Sequence, residues 1–124
     1  MHKRPAMLKV EEVTQGVMLI TLDRPAQRNA INVEMLEALT AAVSSFREEN
    51  RWRCAILTGS GTAFCAGLDI KAFTAPDAPR HLVTEFTKAL PYQGKPMIAA
   101  VNGAAYTGGL EIALACDFII AAEE

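Results

Sequence analysis

Two short apolar runs, each closed by a glycine turn, constrain this chain more than any other feature. Cys54-Ala55-Ile56-Leu57-Thr58 is stopped by Gly59, and Pro96-Met97-Ile98-Ala99-Ala100-Val101 is broken at Asn102-Gly103. Runs of this kind predict strands buried on both faces, because polar alternation disappears when neither face meets water. Each run leads through its turn towards a helical segment. Strand, turn and helix in that order predict largely parallel pairing, hence an α/β domain.

The remaining segments fit that class. Residues 8–14 and 17–23 are rich in β-formers, and Gln15-Gly16 between them signals a hairpin. In the second segment Met18, Ile20 and Leu22 form a fully apolar face, opposite Val17, Leu19, Thr21 and Asp23. Arg24-Pro25 ends it, since proline cannot donate a ladder hydrogen bond. Asn32 is placed to cap a helix over about residues 33–49, with Leu36, Leu39, Val43 and Phe46 on its inward stripe. Residues 75–79 read as a loop tip. A second helix follows over about 80–90, with Leu82, Val83, Phe86 and Leu90 inward. Residues 108–116 read as helical, and Phe118-Ile119-Ile120-Ala121 as a final buried-type strand with no helix after it to cover it. At 124 residues, without repeats or low-complexity runs, the chain reads as one unit.

Charge and composition narrow the function classes. Twelve basic against fourteen acidic residues give a net charge of -2, with no cluster to grip nucleic acid backbone. The longest late apolar stretch, residues 112–122, contains Asp117 and falls short of a membrane span. The opening Met-His-Lys-Arg-Pro lacks the apolar core of a secretory signal. Cys54, Cys65 and Cys116 have no metal-ligand spacing and suit free thiols in a reducing cytoplasm.

The two turns are where chemistry would sit, since sites in α/β folds lie at strand C-terminal ends. Gly59-Ser60-Gly61 begins like a dinucleotide fingerprint, but Phe64 stands at the third glycine position and no Gly-Lys-Ser/Thr follows. Both phosphate motifs are therefore rejected. In the second turn Gly108 and Gly109 open a helix, where free N–H groups and the helix dipole favour negative charge. Glu111, three residues on, projects from the same helix face within an apolar run, so its carboxylate should be mostly shielded. Read alone, it is either a base or a glutamate that pairs with a cation or faces solvent.

Taken together, Ala63-Phe64-Cys65-Ala66-Gly67-Leu68-Asp69-Ile70-Lys71 and Ala100-Val101-Asn102-Gly103 through Gly108-Gly109-Leu110-Glu111 closely resemble the crotonase (enoyl-CoA hydratase/isomerase) superfamily. Arg24-Pro25 and Arg28-Asn29-Ala30-Ile31 match its N-terminal segment, in the right order and at the right separations. The resemblance runs from about Leu8 to the last residue. It implies a crotonase-like spiral of ββα units, cut before its later turns and C-terminal helices, whose substrate is an acyl-CoA thioester. It implies an oxyanion hole made by the backbone N–H groups of Leu68 and Gly108, with Glu111 as the catalytic glutamate. Burial would raise the pKa of that glutamate and the helix N-terminus would lower it. Ala66, Asp69, Ile70 and Lys71 would contact coenzyme A, and Arg24, Arg28 and Ala30 would belong to its channel. Coenzyme A would enter as part of the substrate, with no prosthetic group and no metal, in an enzyme of fatty acid metabolism that forms homo-oligomers.

The chain departs from the family pattern after Glu111. Hydratases of this kind carry a second glutamate further along, whereas here only Glu123 and Glu124 follow, outside the matching context. Three classes stay open: an enoyl-CoA hydratase-like enzyme (or an isomerase relative), a non-catalytic acyl-CoA-binding half-domain, and an unrelated α/β domain. A chain ending at Glu124 is expected to hydrate crotonyl-CoA only weakly and to associate through exposed apolar edges. His2 and His81 read as surface residues, and Cys65 as packing. Tyr106 either lines the acyl pocket or fills the core.

Overall fold

The structure is a computed structural model that describes residues 7–90 and 94–123. His2 and Glu124 lie outside the described residues. The chain opens with an antiparallel hairpin of β1 (Leu8–Thr14) and β2 (Val17–Leu22), turned at Gly16 with φ +79°. A 3-10 turn at Pro25–Gln27 leads to α1 (Val33–Glu48). There follow β3 (Cys54–Gly59), β4 (Ala63–Cys65), α2 (Ile70–Phe73) and α3 (Arg80–Ala89). After these come β5 (Met97–Val101), β6 (Ala104–Ala105), α4 (Gly108–Ala115) and β7 (Phe118–Ala121). The main sheet has the order β1-β2-β3-β5-β7, parallel from β2 onwards, and β4 pairs with β6 in a separate two-stranded sheet.

Local chemistry accounts for these elements. Asn32 Oδ1 accepts from Met35 N at 2.9 Å, satisfying one of the free N–H groups that opens α1. Leu36, Leu39, Val43 and Phe46 are all buried, as their spacing predicts, against Met18, Ile20 and Leu22 of β2. At the other end Lys95 Nζ donates to the carbonyls of Phe46 and Glu49, both at 2.8 Å, closing the C-terminus of α1. Burying side chains of this size contributes about 1.5–3 kcal/mol each.

Three expectations change. In β3 only Ala55 and Leu57 are fully buried, and in β5 only Met97 and Ala99; the alternate residues are half-buried. The helices cover one face of the sheet, so these strands show the one-sided burial of a sheet with a single helix layer. β7 forms at the predicted residues, yet Phe118, Ile119 and Ile120 are exposed at the sheet edge. Residues 59–67, expected as a loop, contain the fully buried strand β4.

Candidate active site

β4 and β6 bring the two glycine turns together. Their parallel pairing aligns Ala63 with Ala104 and Cys65 with Ala105, and Tyr106 N donates to Cys65 O at 3.0 Å. Past this ladder the backbones stay in contact. A Cβ on Gly109 would fall 2.2 Å from Cys65 O, and one on Gly67 would fall 2.2 Å from Thr107 Oγ1. Gly67 also has φ +98°, which a side chain rarely adopts. Glycine is therefore required at both positions for the turns to meet.

Leu68 and Gly108 meet just beyond. A Cβ on Gly108 would lie 3.6 Å from Leu68 N, and one on Gly67 would lie 3.3 Å from Gly108 N. Among the described residues neither of these two amides has a hydrogen-bond acceptor. The flanking groups do: Ile31 N donates to Gly67 O and Asp69 N to Ile31 O, each at 2.8 Å. Gly109 N donates to Tyr106 O at 2.7 Å and Glu111 N to Thr107 O at 3.0 Å. Two unspent donors thus stand side by side at the start of α4, where the dipole is positive. Thr107, which precedes them, holds φ +44°, a left-handed strain of the kind that accumulates at working sites.

Leu68 and Gly108 line a pocket of about 50 Å³ together with Ile31, Leu36, Val83, Phe86, Thr87, Ile112 and Glu111. Glu111, Thr87, Leu90, Ile112 and Ala115 line an adjoining space of about 130 Å³. Glu111 is nevertheless exposed, which corrects the expectation of shielding. Only Gly109, Ile112 and Ala113 of α4 are buried; Leu110 and Leu114 face outward, and no described element covers that side of the helix. Its carboxylate has no ion-pair partner among the described residues, so it faces solvent and the pocket mouth.

On the other side of Leu68 lies an open cleft of about 390 Å³ lined by Gln27, Ala30, Ala66, Asp69, Ile70 and Lys71. Five of the seven residues assigned to coenzyme A by resemblance line it, and Gln27 joins them unforeseen. Gln27 sits in the 3-10 turn just after Pro25, and its place within the Arg24–Ile31 motif is the signal that could have found it. Arg24 is half-buried and committed to the protein: its guanidinium bonds Ala30 O and lies 3.6 Å from Asp69 Oδ2. Arg28 is exposed and lines neither pocket; its carbonyl accepts from Ala66 N at 3.0 Å.

Asn29 and Asn102 received no role from the sequence alone, yet both hold the first turn. Asn29 is fully buried, and its Nδ2 donates to the carbonyls of Ser60, Ala63 and Phe64 at 3.0, 3.0 and 3.2 Å. Cys65 is packing, as expected: burial pushes its thiol up, with the Gly67 amide bond opposing, which disfavours a thiolate nucleophile. Cys116 is pushed up to about 12, by burial first and then by Asp117. Tyr106 and His81 are exposed, and Tyr106 lines neither pocket.

A family model described as enoyl-CoA hydratase/isomerase matches residues 12–124. The chain belongs to the enoyl-CoA hydratase/isomerase family. It is 43% identical over 114 residues to a probable enoyl-CoA hydratase of Rhizobium meliloti, covering 89% of this chain and 44% of that protein. It is 40% identical over 112 residues to the probable enoyl-CoA hydratase echA6 of Mycobacterium tuberculosis, with 89% and 45% covered. The crystal structure of an enoyl-CoA hydratase from Bacillus anthracis superposes with a TM-score of 0.86 at 38% identity, over 96% of this chain and 48% of that one. The chain thus spans about half the length of the enoyl-CoA hydratase/isomerase relatives it matches, and its mixed α/β fold is that of the corresponding part of a crotonase spiral.

Proposed function

We propose that this chain binds an acyl-CoA thioester and adds water to the double bond of a 2-enoyl-CoA. The Leu68 and Gly108 amides hold the thioester oxygen, and Glu111 takes a proton from the attacking water. As water adds at the β-carbon, electron density moves onto the thioester oxygen and gives an enolate. Preorganised N–H donors lower the energy of that charge, and loss of one such donor typically costs about 2.7–4 kcal/mol. A solvent water then protonates the α-carbon and restores the thioester, and Glu111 returns its proton to solvent. The acyl chain would enter among Ile31, Leu36, Val83 and Phe86, while Ala30, Ala66, Asp69, Ile70 and Lys71 receive coenzyme A and Arg24 braces that cleft through Asp69. Arg28, exposed beside this channel, would reach the phosphates from its rim. No prosthetic group is needed, because hydration involves no net oxidation or reduction and every atom of the product comes from substrate and water.

The observation that carries this reading is the pair of acceptor-free amides at Leu68 and Gly108, in the same pocket wall as Glu111. Free thiols at Cys54, Cys65 and Cys116 support a reducing, cytoplasmic setting. The test is hydration of crotonyl-CoA, followed as loss of the conjugated thioester absorbance. E111Q is expected to fall towards the spontaneous rate, since a general base contributes about 10²–10⁴-fold. Unchanged turnover in E111Q would remove Glu111 from the mechanism. A second reading, acyl-CoA binding without hydration, is favoured by the exposure of Glu111 to solvent. Tight butyryl-CoA binding with no hydration in the unaltered chain would select it, and a shifted double bond in the product would select isomerisation.

A further inference from the structure

Asn102 ties together the two turns from which the oxyanion contact is made. It follows β5 and stands directly before Gly103 and β6, so it belongs to the turn that carries Gly108. Its side chain holds the other turn: Oδ1 accepts from Gly59 N at 3.1 Å, and Nδ2 donates to Gly61 O at 3.2 Å and Ala63 O at 3.1 Å. Ala63 O also accepts from Asn29 Nδ2 at 3.0 Å, so both lone pairs of this carbonyl are engaged. Ala63 opens β4, which runs through Cys65 into Ala66, Gly67 and Leu68. The ladder between β4 and β6 has only two aligned positions and a register shift between them, too little to fix a separation by itself. The backbones are also in close contact here, a Cβ on Gly103 falling 2.0 Å from Thr62 O.

We infer that Asn102 is a positioning residue whose side-chain amide sets the spacing of the Leu68 and Gly108 N–H groups, and with it the negative charge the site can hold on a thioester oxygen. The inference rests on the proposed function. An amide is suited to the task because it accepts and donates at once; a carboxylate of the same shape keeps the bond from Gly59 N but faces the Gly61 and Ala63 carbonyls with no proton to offer.

The test compares the affinity of the 124-residue chain for two probes. Butyryl-CoA is neutral at its thioester, whereas acetoacetyl-CoA loses an α-proton to buffer and binds as an enolate with charge on the thioester oxygen. The unaltered chain should prefer acetoacetyl-CoA. N102D should keep its butyryl-CoA affinity and lose that preference by roughly ten- to a hundredfold, the scale of an ångström-sized misplacement. V43A, in the core of α1 and away from the turns, serves as a variant of reduced stability that keeps the preference. Should N102D lose the fold by circular dichroism, N102S is read in the same way. Retained preference in the folded Asn102 variant overturns the inference alone, and so does an equal loss in V43A, which would mark the effect as general destabilisation. No preference in the unaltered chain overturns the functional reading and this inference with it.

Discussion

A single methyl group separates the roles of Gly108 and Gly109. On Gly108 a Cβ meets nothing nearer than 3.6 Å, so alanine fits the fold while crowding the spot faced by Leu68 N. On Gly109 it meets Cys65 O at 2.2 Å and Cys65 Cβ at 2.8 Å, which forces the turns apart. G109A is therefore predicted to lose about 1–3 kcal/mol of stability by overpacking. G108A is predicted to melt close to the parent yet to lose turnover on crotonyl-CoA by about 10²–10³-fold, as when an oxyanion donor is lost. Thermal melts beside hydration rates check both. A G108A chain with full activity would show that the space between the amides is not where the thioester oxygen sits. The glutamate teaches a different lesson at this scale. An apolar run around Glu111 looks like burial on every side, but α4 buries only Gly109, Ile112 and Ala113. Neighbours in sequence do not say which of them another element will cover.

Among the elements, those with many residues of one period were legible. The hairpin announced itself by Gln15-Gly16 and by the alternation of Met18, Ile20 and Leu22, and α1 by its cap and stripe. Asn32→Ala tests that cap: loss of the bond to Met35 N should cost about 1 kcal/mol, within a 0.5–2 kcal/mol range, read by chemical denaturation. A change below a few tenths would mean that packing alone starts the helix. β4 and β6 escaped notice because strands of three and two residues carry no periodicity. They form where the Asn29 and Asn102 side chains and the glycine contacts hold their backbones together, which are long-range facts. The same reason explains the candidate site. Gly108 and Glu111 stand out in the sequence as a glycine-opened helix with a carboxylate one turn on, and Leu68 joins them only through family resemblance, whereas Asn102, which links their turns, has contacts visible only in three dimensions. Arg24, placed in the coenzyme A channel by resemblance, has protein partners that only the fold shows, Asp69 and Ala30 O.

At the scale of the whole molecule, the helices cover one face of the sheet and leave an apolar edge open. Phe118 and Ile120 of β7 are 64% and 65% exposed, in line with Ile98 and Ala100 on the sheet face away from the helices. Exposed apolar side chains on an unpaired sheet edge favour association. The chain is predicted to sediment faster as its concentration rises, and I120K to shift that equilibrium towards the monomer. Identical sedimentation of the two would show that association, if any, uses another surface. The central claim is that two backbone N–H groups from separate turns bind one anionic oxygen, and amide-resolved NMR of the nitrogen-15-labelled chain tests it most directly. On addition of acetoacetyl-CoA, the Leu68 and Gly108 amide protons should both move strongly downfield and saturate at the same ligand concentration. If either signal stays in place while the ligand binds, the shared oxyanion site does not exist.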